Sequence, residues 1–292
     1  MKLVSYIERG AHGNKASYGA LDGDRLVDLS TRETPTLRGA LATEGVEGLR
    51  QRLEARRKDA GIPATSVQLL PPIPDPEKIL CIGLNYFLHA QEVNMQVPSN
   101  PSVFVRYPNS LVGQGQPVLR PPESEQFDYE AEMAVVIGRG GRRIPEAQAM
   151  QHVAGYSCMA ENSVRDWQRH SAQATPGKNF FHSGAIGPWL VTPDEAGDVG
   201  QLEIIGRLNQ EIVQRDTLDQ LIFSIPRLIA YLSTFTELVP GDIIATGTPA
   251  GVGLSRKPQR WLRPGDIFEV EITRLGTLRN PVNDDHISQD NK

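Results

Sequence analysis

The sequence predicts an α+β chain, mainly β, with a small N-terminal α+β unit followed by a larger sheet-rich unit. Three observations carry this reading. At 292 residues the chain is long for one ordinary domain and short for three, so two unequal domains or one large one is the expectation. Four prolines within Pro71-Pro72-Ile73-Pro74-Asp75-Pro76 exclude helix and central strand there and mark a stiff extended linker. Beyond that linker, short apolar runs bounded by turn residues predominate, with helical insertions. The boundaries that follow are a small domain over 1–70, a Pro-rich linker over 71–77 and a larger domain over 78–292.

In chain order, Leu3-Val4-Ser5-Tyr6-Ile7 and Ser17-Tyr18-Gly19-Ala20-Leu21 read as strands, and Asp22-Gly23-Asp24 turns the second into Arg25-Leu26-Val27-Asp28-Leu29. Residues 36–60 carry Leu37, Leu41, Leu49 and Leu53 among Glu, Arg and Lys, which predicts helix. After the linker, Lys78–Leu84 and Ala131–Gly138 are apolar runs of strand length. Phe223–Leu232 suits a helix with Pro226 in its first turn. Pro240-Gly241-Asp242 and Pro264-Gly265-Asp266 are turns entering the strands that begin at Ile243 and Ile267. Residues 284–292 are polar and are expected to fray.

Composition narrows the function. Hydrophobic residues are 39% and charged residues 22%, so a core can form and wholesale disorder is excluded. With net charge −5 and no basic stripe, a nucleic-acid partner is not expected. Membrane-length apolar runs are absent, and Met1-Lys2-Leu3 leads into polar residues instead of a signal-peptide core. Cys81 and Cys158 are too few for a disulfide scaffold and read as buried thiols of a cytoplasmic protein.

The chemistry concentrates in Asp128-Tyr129-Glu130-Ala131-Glu132-Met133. Strand residues i and i+2 share a face, so Glu130 and Glu132 project together at the mouth of an apolar run. A hard divalent cation would relieve the penalty of burying both; a solvated strand edge suits the same spacing. Glu161 closes a second apolar run and could complete a three-carboxylate site. Asp166, beside Arg165, suits an ion pair or a helix cap. In His89-Ala90-Gln91-Glu92 a helix would bring Glu92 onto the imidazole, as catalysis or as a surface pair.

Several of these segments together resemble the fumarylacetoacetate hydrolase family. They are Gly83-Leu84-Asn85-Tyr86 with His89, Tyr129-Glu130-Ala131-Glu132, Ser163-Val164-Arg165-Asp166-Trp167-Gln168, Gly177-Lys178-Asn179-Phe180, Gly187-Pro188-Trp189, Phe223-Ser224-Ile225-Pro226 and Gly247-Thr248-Pro249-Ala250-Gly251-Val252-Gly253. The resemblance runs from about Lys78 to about Asn280. It implies a mixed β-roll catalytic domain, a homodimer, and one Mg²⁺ or Mn²⁺ per subunit held by Glu130, Glu132 and Glu161. The third departs from the family pattern, which reads Asn-Asp where this chain has Ala160-Glu161. The resemblance also favours a catalytic role for His89 and Glu92, which in related enzymes orient or deprotonate a water. It places Lys178 toward the anionic end of a substrate or a developing oxyanion. Arg165 and Gln168 fall near metal and substrate, and Thr248 lies in a glycine-rich turn suited to a carboxylate. Arg106 stands where related sequences often carry lysine, a candidate for the distal substrate carboxylate.

The other candidates fail. His152, His170 and His182 show no ligand spacing, and His12 and His286 fall in expected loops. Gly138-Arg139-Gly140-Gly141 lacks a phosphate-binding lysine, and Ser163 has no nucleophile elbow. The expected substrate is a 2-oxo acid, chelated through its carboxylate and 2-oxo oxygens so that an enolate is stabilised. With a second carbonyl at C4, water activated by His89 and Glu92 would break the C3–C4 bond. That is hydrolysis of an acylpyruvate such as fumarylpyruvate, a step of aromatic catabolism. Decarboxylation, keto–enol isomerisation and hydration are alternatives at the same site, and a non-catalytic binding protein with a degenerate metal site is the alternative of another class.

Overall fold

The computed structural model describes residues 1–10, 13–59 and 61–286. His12, read as a loop residue, and residues 287–292 of the 284–292 tail read as frayed lie outside them; Asp284, at the start of that tail, is instead the last residue of the strand Gly276–Asp284, paired with Arg120. The fold is a mixed, sheet-dominated α+β architecture. A twelve-stranded sheet runs, in spatial order, through Ile62–Pro63, Arg25–Asp28, Gly13–Asp22, Lys2–Gly10, Gly184–Val191, Val153–Ala160, Ala131–Ile137, Ile243–Ala245, Ile79–Gly83 and Ser102–Arg106, with two short strands off this path. A five-stranded sheet orders Glu211–Thr217, Glu203–Leu208, Ile267–Ile272, Gly276–Asp284 and Val118–Arg120.

The strand Ala131–Ile137 is central because both its faces are apolar, and all seven of its residues are buried. Met133, Val135 and Ile137 pack with Ile204, Leu208, Phe268 and Val270 of the smaller sheet. Ala134 and Val136 face the other way, into a cluster with Leu3, Leu29, Leu37 and Leu49 from the N-terminal segment. Glu132 shares the face of Ala134 by the period of two. Antiparallel pairing of Ala131 with Ala160 sets the end of the neighbouring strand, and therefore Glu161, beside Glu130.

The N-terminal residues form the expected strands, and helix over Leu37–Thr43 and Gly45–Arg56. Thr36 caps the first of these by accepting from the Gly39 amide. The first strand is not confined to its own segment: Lys2 and Leu3 pair with Val191 and Leu190. The helix read at Phe223–Leu232 spans Ile225–Phe235, with Ser224 accepting from the Arg227 amide and proline in the first turn. Cys81 and Cys158 are free and buried. Among the described residues no helix is long and apolar enough to cross a membrane.

Candidate active site

Several segments meet at one cavity of about 290 Å³. Its walls include Leu84, His89, Met95, Phe104, Glu130, Glu132, Glu161, Arg165, Gln168, Lys178, Thr248 and Val252. Glu130 lies just before the central strand, Glu132 is its second residue, and Glu161 follows the antiparallel neighbour. One carboxylate oxygen from each lies within 4.8 Å of the others, and all three side chains are buried.

Cations bracket two of the three. Arg165 lies between Asp128 (Nε to Oδ2, 2.7 Å) and Glu130 (Nη2 to Oε1, 2.5 Å). Lys178 donates to Glu130 Oε2 at 2.6 Å and is also paired with Glu161 Oε2. Burial raises the Glu130 acid, but Arg165 and Lys178 outweigh it and hold the group well below the ordinary carboxylate range. Glu161 is pushed up by burial against the pull of Lys178 and Arg106. Burial opposes the charge on Lys178, and Glu130 and Glu161 more than restore it, so the ammonium is retained.

Glu132 is different. Among the described residues its carboxylate has one hydrogen bond, from the Gly247 amide at 2.8 Å. Burial, followed by the like charges of Glu161 and Glu130, pushes its acid well above the usual range. Four buried carboxylates, Asp128 included, therefore meet three buried cations, Arg106, Arg165 and Lys178. A divalent cation fits this donor set: the ligands are hard oxygens, they converge on one position, and the added charge falls beside the least compensated carboxylate.

The histidine of the dyad lines the same cavity. The helix Phe87–Glu92 places His89 Nδ1 3.2 Å from Glu92 Oε2. The other oxygen of Glu92 accepts from the Gly251 amide at 2.9 Å. His89 reaches the cavity wall, whereas Glu92 stays behind it and holds the ring. The loop from Gly247 to Leu254 serves several groups at once. Its amides bond Glu132, Glu92 and Asp128, the last from Gly253 and Leu254. Thr248 lines the cavity while donating to the Ala131 carbonyl at 2.9 Å and accepting from Gln214 at 2.8 Å.

Eight of the ten predicted site residues thus line one cavity, with Glu92 directly behind. Arg106, the candidate for the distal substrate carboxylate, is not among the residues that line the cavity; its buried guanidinium donates to Glu161 Oε1 at 2.8 Å. It is the last residue of the strand Ser102–Arg106 and is held by the Asn162 carbonyl and the Ser110 and Ser183 hydroxyls. Sequence reasoning also missed Asp128, which anchors Arg165 and shares the i, i+2 alternation with Glu130 and Glu132. It missed Asn85, whose amide ties residues 223 and 246 together. Asp166 accepts from Ser124 at 2.6 Å and takes no part in the centre.

A buried three-carboxylate centre at the end of a mixed-sheet fold, with a lysine and a histidine on the same cavity wall, is a donor set that fits a divalent cation. Comparison with known proteins gives the family: residues 78–283 match the model described as fumarylacetoacetate (FAA) hydrolase C-terminal, and the chain belongs to that family. It is 42% identical over 265 residues to the mitochondrial oxaloacetate tautomerase Fahd2a of Rattus norvegicus, covering 89% of this chain and 84% of that one. Among solved structures it resembles maleylpyruvate hydrolase from Sphingobium sp. SYK-6 in complex with manganese(II) and pyruvate, with TM-score 0.81 and 27% identity over 98% of this chain and 100% of that one. Fumarylacetoacetate hydrolase from Exiguobacterium antarcticum gives TM-score 0.82 and 29% identity over 98% and 100%.

Proposed function

We propose that this protein is a divalent-cation-dependent enzyme that interconverts the keto and enol forms of a small 2-oxo acid of the oxaloacetate class. The observation that carries the reading is the Glu130, Glu132 and Glu161 triad, buried at one cavity with Lys178 beside it. Mg²⁺ or Mn²⁺, when bound, supplies the Lewis acidity that polarises the 2-oxo carbonyl. The three carboxylates hold that cation. Lys178, whose charge the carboxylates maintain, faces the negative charge that develops on the 2-oxo oxygen. His89, its Nδ1 fixed by Glu92, takes the C3 proton through Nε2 as the enol forms and returns one as the ketone re-forms, the proton on the 2-oxo oxygen being exchanged with solvent. Gln168 and Thr248 offer hydrogen bonds to the substrate, while Val93, Phe104 and Val252 exclude water. The 42% relative named as an oxaloacetate tautomerase supports this choice over the hydrolysis expected from the sequence.

C–C hydrolysis of an acylpyruvate is the second reading. It is favoured by the same dyad, which in that reaction would deprotonate a water for attack at C4, and by the maleylpyruvate hydrolase likeness. The unit we propose is a cytoplasmic homodimer. Two free, buried thiols suit a reducing compartment, and exposed Phe87, Leu88 and Met95 beside the cavity give an apolar rim for a second copy.

The test is a panel of oxaloacetate and 2,4-dioxo acids assayed with Mg²⁺, Mn²⁺ or a chelator. Enol decay is followed by absorbance, and pyruvate by a coupled assay. Cation-dependent loss of oxaloacetate enol without pyruvate release supports tautomerisation. Faster pyruvate release from a 2,4-dioxo acid supports hydrolysis instead. No cation-dependent rate on any of these acids overturns both.

A further inference from the structure

We propose that Arg106 is a positioning residue that sets how Glu161 meets the divalent cation; this rests on the cation centre proposed above. Its side chain has no solvent exposure, and it is not among the residues that line the cavity. Nη1 donates to Glu161 Oε1 at 2.8 Å and to the Asn162 carbonyl at 3.1 Å. Nη2 donates to Ser183 Oγ at 2.8 Å, and Nε to Ser110 Oγ at 3.1 Å. The Ser110 hydroxyl is itself fixed, donating to the Tyr107 carbonyl at 2.7 Å. Gly184 makes the room: a Cβ there would lie 2.8 Å from Arg106 Nη2.

The consequence falls on Glu161. A glutamate has one more rotatable bond than an aspartate and, unheld, would swing among several rotamers. Arg106 takes one of its oxygens, Oε1, and leaves Oε2 facing Lys178 and the other two carboxylates. Glu161 therefore presents a single oxygen, in one orientation. The planar guanidinium can do this because it bridges Glu161 and three fixed protein acceptors at once. A lysine ammonium keeps the charge but not the fork. Arg106 acts through Glu161 and touches no substrate.

The experiment is calorimetric titration of metal-stripped protein with Mn²⁺ alone, for wild type, Arg106→Gln and Arg106→Lys, with thermal melts of each. Arg106→Gln should bind Mn²⁺ about 10- to 100-fold more weakly, the range for residues that orient a metal ligand. Arg106→Lys should fall between it and wild type. A merely structural arginine would lower the melting temperature and leave the affinity alone, so folded variants binding Mn²⁺ within twofold of wild type overturn the inference. If Arg106→Gln does not fold, Arg106→Lys decides by the same criterion. Wild type that binds no Mn²⁺ overturns the cation centre itself, an outcome distinct from equal binding by all three.

Discussion

Glu132 is the residue at which burial and charge conflict most. In the metal-free protein its acid is pushed well above the ordinary value of 4.5 by burial and by Glu161 and Glu130. A carboxylate raised in the fold contributes stability below its unfolded pKa and loses it as pH rises toward the folded value. Glu132→Gln removes that loss. In chelator, the melting temperature of the variant relative to wild type should therefore climb as pH rises from 5 to 8. With Mg²⁺ or Mn²⁺ the order should reverse, because wild type gains binding energy that the variant lacks. Melting curves at several pH values check this; a difference independent of both pH and metal would remove Glu132 from the centre. At this scale much was readable from sequence. The i, i+2 spacing of Glu130 and Glu132 places them together on any strand. The role of Arg106 was not readable, because its partner Glu161 lies 55 positions away and only the folded sheet brings them together.

Between residue and fold, two elements govern the site: the helix Phe87–Glu92 and the loop from Gly247 to Leu254. His89→Ala should lower turnover by about two to four orders of magnitude, the range for a positioned base. Glu92→Gln should be milder, since a hydrogen bond survives, and the double variant should be no worse than His89→Ala alone. Single-turnover kinetics at saturating Mg²⁺ measure all three; rates within a few-fold of wild type would show that the dyad takes no part in the chemistry. The loop depends on glycine at two points. Gly247 and Gly251 take φ of +104° and +106°, and a Cβ on Gly251 would lie 2.1 Å from the Val213 carbonyl oxygen. Gly251→Ala should therefore cost roughly 1–3 kcal/mol of stability by thermal or urea unfolding. It should also lower activity, because the amide that holds Glu92 moves. The turns and helices themselves were readable from Pro-Gly-Asp and Ser-x-Pro patterns. That one loop serves Glu132, Glu92 and Asp128 was not, since backbone amides carry no residue signature.

Across the whole molecule, the N-terminal segment shares its core with the sheet that carries the ligands. Leu3, Tyr18, Leu37 and Leu49 pack with Ile79, Ala134, Val136, Met159 and Ile243. The proline run at 71–76 is plain in the sequence, but the pairing of Lys2 with Val191 joins strands that sequence order holds far apart. A shared core predicts one cooperative unfolding transition in calorimetry; two well-separated transitions would show that residues 1–70 fold independently. The same packing fixes the ends of Ala131–Ile137 and Val153–Ala160, and so the three carboxylates on which the proposed chemistry depends. Enolisation is common to tautomerisation and acylpyruvate hydrolysis, and the measurement that isolates it is exchange of the C3 protons of pyruvate with D₂O, followed by NMR. Metal-stripped protein should exchange no faster than solvent, and adding Mg²⁺ or Mn²⁺ should accelerate exchange in wild type but not in Glu132→Gln. Metal-independent exchange by the protein, or full acceleration in the variant, would contradict an enolising centre built on Glu130, Glu132 and Glu161.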